Sequence, residues 1–212
     1  MIAPAPLQGI VFDLDGTLYS NEPFSASLQA AAVDYIAALK GIGTSEAAQL
    51  MAATRQRLYL EQKREQPLSV VCTELDGTIE LLHRHFQETL QPEAFLQRDD
   101  RVITLLQLLA QKYSLYIYTN NNRVLTTRII RQLGLEALFC RIITIDESWR
   151  GKPDLQMLLN FFDQTGLIPG QTLFVGDRYD IDLRLPEQLG CPVLLCQSVE
   201  QLLTLEQMLL RL

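Results

Sequence analysis

The 212-residue chain has only two histidines, His83 and His85, and four cysteines, Cys72, Cys140, Cys191 and Cys196, with no CxxC pair among them. That scarcity excludes a zinc site of ordinary Cys and His spacing. Positions i and i+2 of a helix do not face one another, so the histidines read as two partly exposed helix residues. The cysteines read as reduced thiols of the core. Nowhere do about 18 apolar residues run without interruption, as a membrane-spanning helix requires. The opening MIAPAPLQGIVF lacks a basic segment followed by a long apolar run. These absences predict a cytoplasmic protein with no membrane partner. Positive charge is also short: 18 Lys and Arg against 25 Asp and Glu leave a formal net charge of -7. A general basic surface for nucleic acid is thereby excluded, whereas a small anionic ligand stays compatible wherever a local cation offsets the field.

What is present is the composition of a globular chain, with 48% hydrophobic and 20% charged residues and only 9 Pro and 11 Gly. Five short segments rich in aliphatic, β-branched or aromatic residues read as strands: GIVFDL (9–14), SLYIYT (114–119), RIITI (141–145), TLFVG (172–176) and PVLLC (192–196). The last four are separated by helix-period stretches such as 123–134 and 154–166. Near-continuous apolar strands alternating with helices predict an α/β fold, a doubly wound parallel sheet covered on both faces.

Between the first and second strands lie nearly a hundred residues without a convincing strand. Helical periodicity predicts a helix over 25–43 that stops at Gly41 and Gly43, a second one capped by Thr44 or Ser45 and running to about Gln66, a break at Pro67, and a third over roughly 77–90. Asp99 or Asp100 then caps the helix that returns to the sheet. The expected organisation is an α/β core of residues 1–19 and 96–212 with a small all-helical domain, 20–95, inserted after the first strand.

Polar, chemically capable residues gather at the strand ends. The first strand leads to Asp13, Asp15 and Thr17, the second to Thr119, Asn120 and Asn121, the third to Lys152 in GKPD, and the fourth to Asp177 in GDRYDID. In open α/β sheets ligands bind beyond the carboxyl ends of the strands, so topology brings these residues together. Asp13 and Asp15 are two apart on a strand, hence on one face, where paired carboxylates repel unless a cation or a proton intervenes.

With DLDGT at 13–17, Thr119 followed by Asn120, Lys152 followed by Pro153, and Gly176-Asp177 with Asp182 beyond, the sequence resembles the haloacid dehalogenase-like hydrolase superfamily over essentially its whole length. The resemblance implies a phosphatase-type member with a helical cap, acting on a small phosphorylated metabolite through an aspartyl phosphate. It implies that Asp13 is the nucleophile and a metal ligand, and that Asp15 carries the proton and lends its backbone carbonyl to the metal. Asp177 completes the metal shell, Thr119, Asn120 and Lys152 hold the phosphoryl group, and Asp182 supports from behind. Charge supports this independently. Asp13, Asp15, Asp177, Asp182 and a phosphate dianion face a single positive charge on Lys152, and oxygen donors of this kind suit Mg²⁺. Pro153 at the first position of a helix would leave free N–H groups to help bind the anion.

Neighbouring residues have plainer readings. Asn121 simply starts the following helix. ELDGTI at 74–79 echoes DLDGTL, but Glu74 stands in place of the nucleophile and no strand precedes it, so Asp76 reads as an acid near a helix start. Arg178 and Asp180 are within reach of substrate or form ordinary ion pairs. The same core also serves phosphomutases and 2-haloacid dehalogenases. The dehalogenases generally lack a second Asp in DxD, which Asp15 supplies here. A non-catalytic binding or regulatory protein would have lost at least one of the four key groups, and all are present.

Overall fold

The computed structural model describes residues 6–209. Five strands, β1 (Gly9–Phe12), β2 (Ser114–Tyr118), β3 (Arg141–Ile143), β4 (Thr172–Gly176) and β5 (Val193–Leu195), pair in parallel in the order β3-β2-β1-β4-β5. The chain builds outward from β1 on one side and then returns to its other side at β4. The central strands β2, β1 and β4 therefore open onto one crevice at their carboxyl ends.

Side-chain alternation explains how both faces are covered. Ile10, Phe12, Leu115, Ile117, Leu173 and Val175 belong to one buried cluster, and Val11, Tyr116, Tyr118 and Phe174 to another. Odd and even positions of a strand point to opposite faces, so each central strand feeds both cores. Helices follow in chain order. The stretch between β1 and β2 holds α1 (Glu22–Lys40), α2 (Thr44–Gln62), α3 (Leu68–Thr73), α4 (Ile79–Thr89), α5 (Pro92–Phe95) and α6 (Asp100–Ala110). Beyond the second strand come α7 (Arg123–Leu133), α8 (Leu155–Thr165), α9 (Arg184–Gln188), α10 (Val199–Leu202) and α11 (Leu205–Leu209). Among the described residues no helix is long and apolar enough to cross a membrane.

Local chemistry moves several boundaries from their sequence expectations. α1 starts at Glu22 because the Asn21 side chain accepts the Phe24 N–H at 2.8 Å and Pro23 fits the first turn. It ends at Gly41, whose φ of 66° is the left-handed cap that glycine adopts without strain. α2 stops at Gln62, four residues early, with Lys63 in the left-handed region, and Gly43 precedes it without a side-chain cap. A short extra helix, α3, follows Pro67, while Thr78 caps α4 and Asp99 caps α6. Pro153 does not open a helix: Asp154 is the cap of α8, its carboxylate accepting the Met157 N–H at 2.7 Å. Four of the five strands also end early, β4 alone keeping its expected bounds. β1 stops at Phe12, so strand alternation does not orient Asp13 and Asp15, although the Asp13 N–H still reaches Val175 O at 2.8 Å.

Two further expectations fail. Cys140 is exposed, whereas Cys72, Cys191 and Cys196 are buried free thiols. His83 is buried, at 3% exposure, because α4 packs toward α7, where Asn122 Nδ2 donates to His83 O at 3.0 Å. Other links of this kind are the paired Arg128 to Glu93 bonds, both 2.7 Å, and Gln132 Nε2 to Leu96 O at 2.9 Å. Apolar packing is continuous across the same junction, since Phe24, Ile36, Met51 and Leu82 share one cluster with Phe12 and Ile117.

Burial lowers the His83 pKa from 6.5 to about 4, with Asp146 opposing the shift. The unfolded chain therefore takes up a proton near pH 6.5 that the folded protein refuses until about pH 4, and stability falls as pH drops through that window. Asp13 and Asp177, with raised pKa values, act in the opposite direction. Urea denaturation at pH 7, 6 and 5 is therefore expected to isolate this loss as a difference, with stability changing less favourably on acidification in the wild type than in His83→Gln. Identical pH slopes in the two proteins would assign the loss to other groups.

Candidate active site

The site is built around a buried ammonium. Lys152, on the loop between β3 and α8, is 2% exposed. Its Nζ donates to Asp13 Oδ1 and to Asp182 Oδ1, each at 2.5 Å, and to Tyr118 O at 2.9 Å. An ammonium has three protons, and all three are engaged. Burial alone would lower the Lys152 pKa, but the two carboxylates overcome it and keep the group charged. The Asn120 Oδ1 fixes the loop by accepting the Lys152 backbone N–H at 2.7 Å.

One cation between two acids does not serve them equally. Burial raises the pKa of Asp13, and the neighbouring Asp182 charge adds to it against the pull of Lys152. Burial opposes ionisation of Asp182 as well, yet Lys152 and Arg178 together hold its pKa below the ordinary value. The other oxygen of Asp13 accepts a long bond from Thr17 Oγ1, 3.4 Å. The nucleophile candidate is thus held at both oxygens.

Asp15 has different partners. Its Oδ1 accepts from the Tyr19 hydroxyl and its Oδ2 from Asn121 Nδ2 at 2.7 Å. Burial raises the Asp15 pKa, with the Tyr19 bond the chief opposing influence. This corrects the plain reading of Asn121: it is buried on Asp15, and Asn122 caps α7 instead, accepting the Leu125 N–H at 2.9 Å. Thr119 is buried at the end of β2, and its Oγ1 accepts the Asn121 N–H at 3.1 Å.

Asp13, Asp177 and Asp182 each offer a carboxylate oxygen, all within 4.8 Å of one another. Asp177 Oδ1 is buried without a hydrogen bond, and burial raises the Asp177 pKa. An all-oxygen, acid-rich set with an unsatisfied member suits a hard divalent cation. The Asp15 side chain, engaged by Tyr19 and Asn121, is not in this set. Two glycines allow the close packing. A Cβ on Gly16, whose φ is +89°, would lie 2.4 Å from Asp177 Oδ2, and one on Gly176 would lie 2.5 Å from the Asp182 Cβ.

Arg178 is the residue whose weight sequence reasoning undervalued. Its side chain is only partly buried, its Nε lies 3.4 Å from Asp177 Oδ1 and 3.9 Å from Asp182 Oδ2, and these acids, with Asp13 and Asp15, keep it charged. The four aspartates therefore face two cations, not one. Asp180 stands apart: it pairs with Arg184 and accepts the Glu65 N–H at 3.0 Å, outside the acid cluster. Asp76 is also remote, at φ 64° and 2.6 Å from Lys40 Nζ.

Above these groups lies a cleft of about 220 Å³, walled by Asp15, Asn120, Asp177 and Arg178 from the sheet side and by Ser69 and Phe86 from the helical insertion. Through Gln29, Leu68 and Arg178 it meets a wider hollow of about 520 Å³ that reaches Arg55 and Tyr59.

Comparison with known proteins gives this geometry a family. The glyceraldehyde 3-phosphate phosphatase of Methanocaldococcus jannaschii is 25% identical over 187 residues, covering 87% of this chain and 82% of that protein. A phosphoglycolate phosphatase of Salmonella choleraesuis is 25% identical over 202 residues, covering 88% and 79%. The crystal structure of a 2-haloacid dehalogenase from Pseudomonas syringae pv. Tomato DC3000 aligns with a TM-score of 0.61 at 20% identity, over 97% of this chain and 99% of that one. That likeness concerns the fold alone. The sequence model of the haloacid dehalogenase-like hydrolases matches residues 7–190, and the chain is an enzyme of that hydrolase family.

Proposed function

We propose that the protein is a Mg²⁺-dependent phosphatase that hydrolyses a small phosphomonoester through a phosphorylated Asp13. The observation that carries this reading is the buried Lys152 bridge, which fixes Asp13 beside an acid cluster at the mouth of the sheet. The names of the curated relatives, both phosphatases, support the substrate class.

In the first step an Asp13 carboxylate oxygen attacks phosphorus, the ester P–O bond breaks, and its electron pair leaves with the alcohol oxygen. Asp15 gives that oxygen a proton. Its raised pKa suits the task, and Tyr19 and Asn121 hold the carboxyl in place. In the second step Asp15 takes a proton from water, the water oxygen attacks phosphorus, and the bond to Asp13 breaks. The balance is ester plus water giving alcohol plus inorganic phosphate. Thr119 accepts a backbone N–H, leaving its own proton for a phosphoryl oxygen. Asn120 offers an amide N–H to the same group, and Lys152 neutralises charge as the phosphoryl arrives on Asp13. The Asp13 and Asp177 side chains and the Asp15 backbone carbonyl would hold Mg²⁺, with Asp182 anchoring Lys152 behind them. Bound there, the ion would offset the negative charge and polarise the transferring group. The helical insertion, 20–95, serves as a cap that shields the cleft from water.

A panel of phosphomonoesters assayed with Mg²⁺ and with EDTA tests the reading. Asp13→Asn should reduce turnover to background. Asp15→Asn should cost about 10²–10⁴-fold on poor leaving groups and much less on good ones; an equal loss on both would remove Asp15 from proton transfer.

Gly16→Ala should raise the Mg²⁺ concentration needed for half-maximal activity by about 10–100-fold, because the new Cβ displaces Asp177. Asp182→Asn should raise it similarly and Asp180→Asn should leave it unchanged, since Asp180 spends its carboxylate on Arg184 and Glu65. The reverse order in parallel Mg²⁺ titrations would make Asp180 the functional acid.

A further inference from the structure

Among the described residues eight buried side-chain atoms lack a hydrogen-bond partner, and four of them, Ser69 Oγ, Asn120 Nδ2, Asp177 Oδ1 and Arg178 Nε, belong to residues lining the single 220 Å³ cleft. Buried polar atoms without partners are uncommon, so half of the set in one cleft marks a place where a ligand supplies the missing bonds. Asp177 Oδ1 and Arg178 Nε at least face one another, 3.4 Å apart. Ser69 Oγ and Asn120 Nδ2 have no counterpart.

Asn120 Nδ2 is a donor, and the Ser69 hydroxyl has a proton free to donate. Asn120 Oδ1 accepts the Lys152 N–H at 2.7 Å, which defines the amide orientation and leaves Nδ2 as an N–H donor. Ser69 is 5% exposed, on α3, and Gly151 leaves room for it: a Cβ there would lie 3.1 Å from Ser69 Oγ and 3.5 Å from Asn120 Oδ1. The insertion and the segment between β2 and α7 thus bring a hydroxyl and an amide to one spot beside the Lys152 loop, with the Arg178 guanidinium on the same cleft wall.

We infer that Ser69 is a specificity-determining residue, which with the second Asn120 Nδ2 proton, the one not given to the phosphoryl group, and with Arg178 binds an acceptor oxygen on the leaving group, so that preferred substrates carry a carboxylate or carbonyl next to the ester carbon. This rests on the phosphatase reading above. Ser69 and Asn120 meet around Gly151 and Arg178 lines the same cleft, a donor set that matches an acceptor-bearing group and leaves a plain alkyl group with unpaired donors. The cleft, about 220 Å³, admits such short-chain esters.

Three two-carbon esters separate the possibilities: 2-phosphoglycolate bears a carboxylate, glycolaldehyde phosphate a carbonyl, and ethyl phosphate neither. In the wild-type protein kcat/KM should be higher for the first two. Ser69→Ala should reduce that preference about tenfold, through KM and not kcat, with the melting temperature unchanged, and Ser69→Thr should keep it. Preference for the carboxylate over the carbonyl would identify an anion as the group read. The inference is overturned if Ser69→Ala changes all three esters by the same factor, or none. The same contrast read as binding, by calorimetry in Asp13→Asn with and without Ser69→Ala, does not need turnover. If neither these esters nor any of the wider phosphomonoester panel is hydrolysed the phosphatase reading fails, while selective binding of the acceptor-bearing esters that depends on Ser69 would still uphold the subsite.

Discussion

The structure depends on one buried ammonium held by two carboxylates and a carbonyl. Lys152 reaches Asp13 across 139 residues of sequence and Asp182 across 30, so a single Nζ ties the ends of β1, β2 and β4 together. A charge at that depth is tolerable only when its partners are in place. The requirement spreads outward. Asp182 has to sit close against Gly176, and Asp177 against Gly16, which leaves no space for a Cβ at either glycine. Tyr118 has to end β2 with its carbonyl directed at the ammonium. The loop of Lys152 is held in turn by Asn120.

Charge accounting around that bridge explains the division of labour among four aspartates. Asp182 takes the greater share of Lys152 and Arg178 and stays ionised. Asp13 and Asp177 carry raised pKa values, chiefly through burial, and share a cluster of oxygens with Asp182. Asp15 is separated from them by its bonds to Tyr19 and Asn121. Neighbouring groups of one chemical type thereby acquire different properties, set by their partners and not by their identity.

The parallel sheet was legible because its strands are short apolar runs between helix-period stretches, a pattern that local sequence encodes. The convergence of Asp13, Lys152, Asp177 and Asp182 was legible because the topology of such a sheet places strand ends together. Boundaries were less so: Asn21 and Asp154 act as caps through side-chain bonds that propensity alone does not rank. The misread residues share a longer-range cause. Asn121 meets Asp15 over 106 residues and Asn122 meets His83 over 39. Nothing within a window of either sequence reports the partner. The three consecutive asparagines after β2 were the available signal, since a helix start needs only one of them. Arg178, next to Asp177, offered its charge openly, yet its effect on Asp182 required a turn to bring Asp182 back, where its Oδ2 accepts the Arg178 backbone N–H at 3.1 Å.

The apolar cluster that joins Phe24, Ile36, Met51 and Leu82 to Phe12 and Ile117 bears on how the chain comes apart. A helical insertion with a separate core would melt by itself, leaving the sheet behind. Here its inner residues and one face of the sheet shield each other from water, so losing either exposes the other. Insertion and sheet are consequently coupled into one cooperative unit, and the integrity of the chemical centre is insured by residues that lie far from it along the chain.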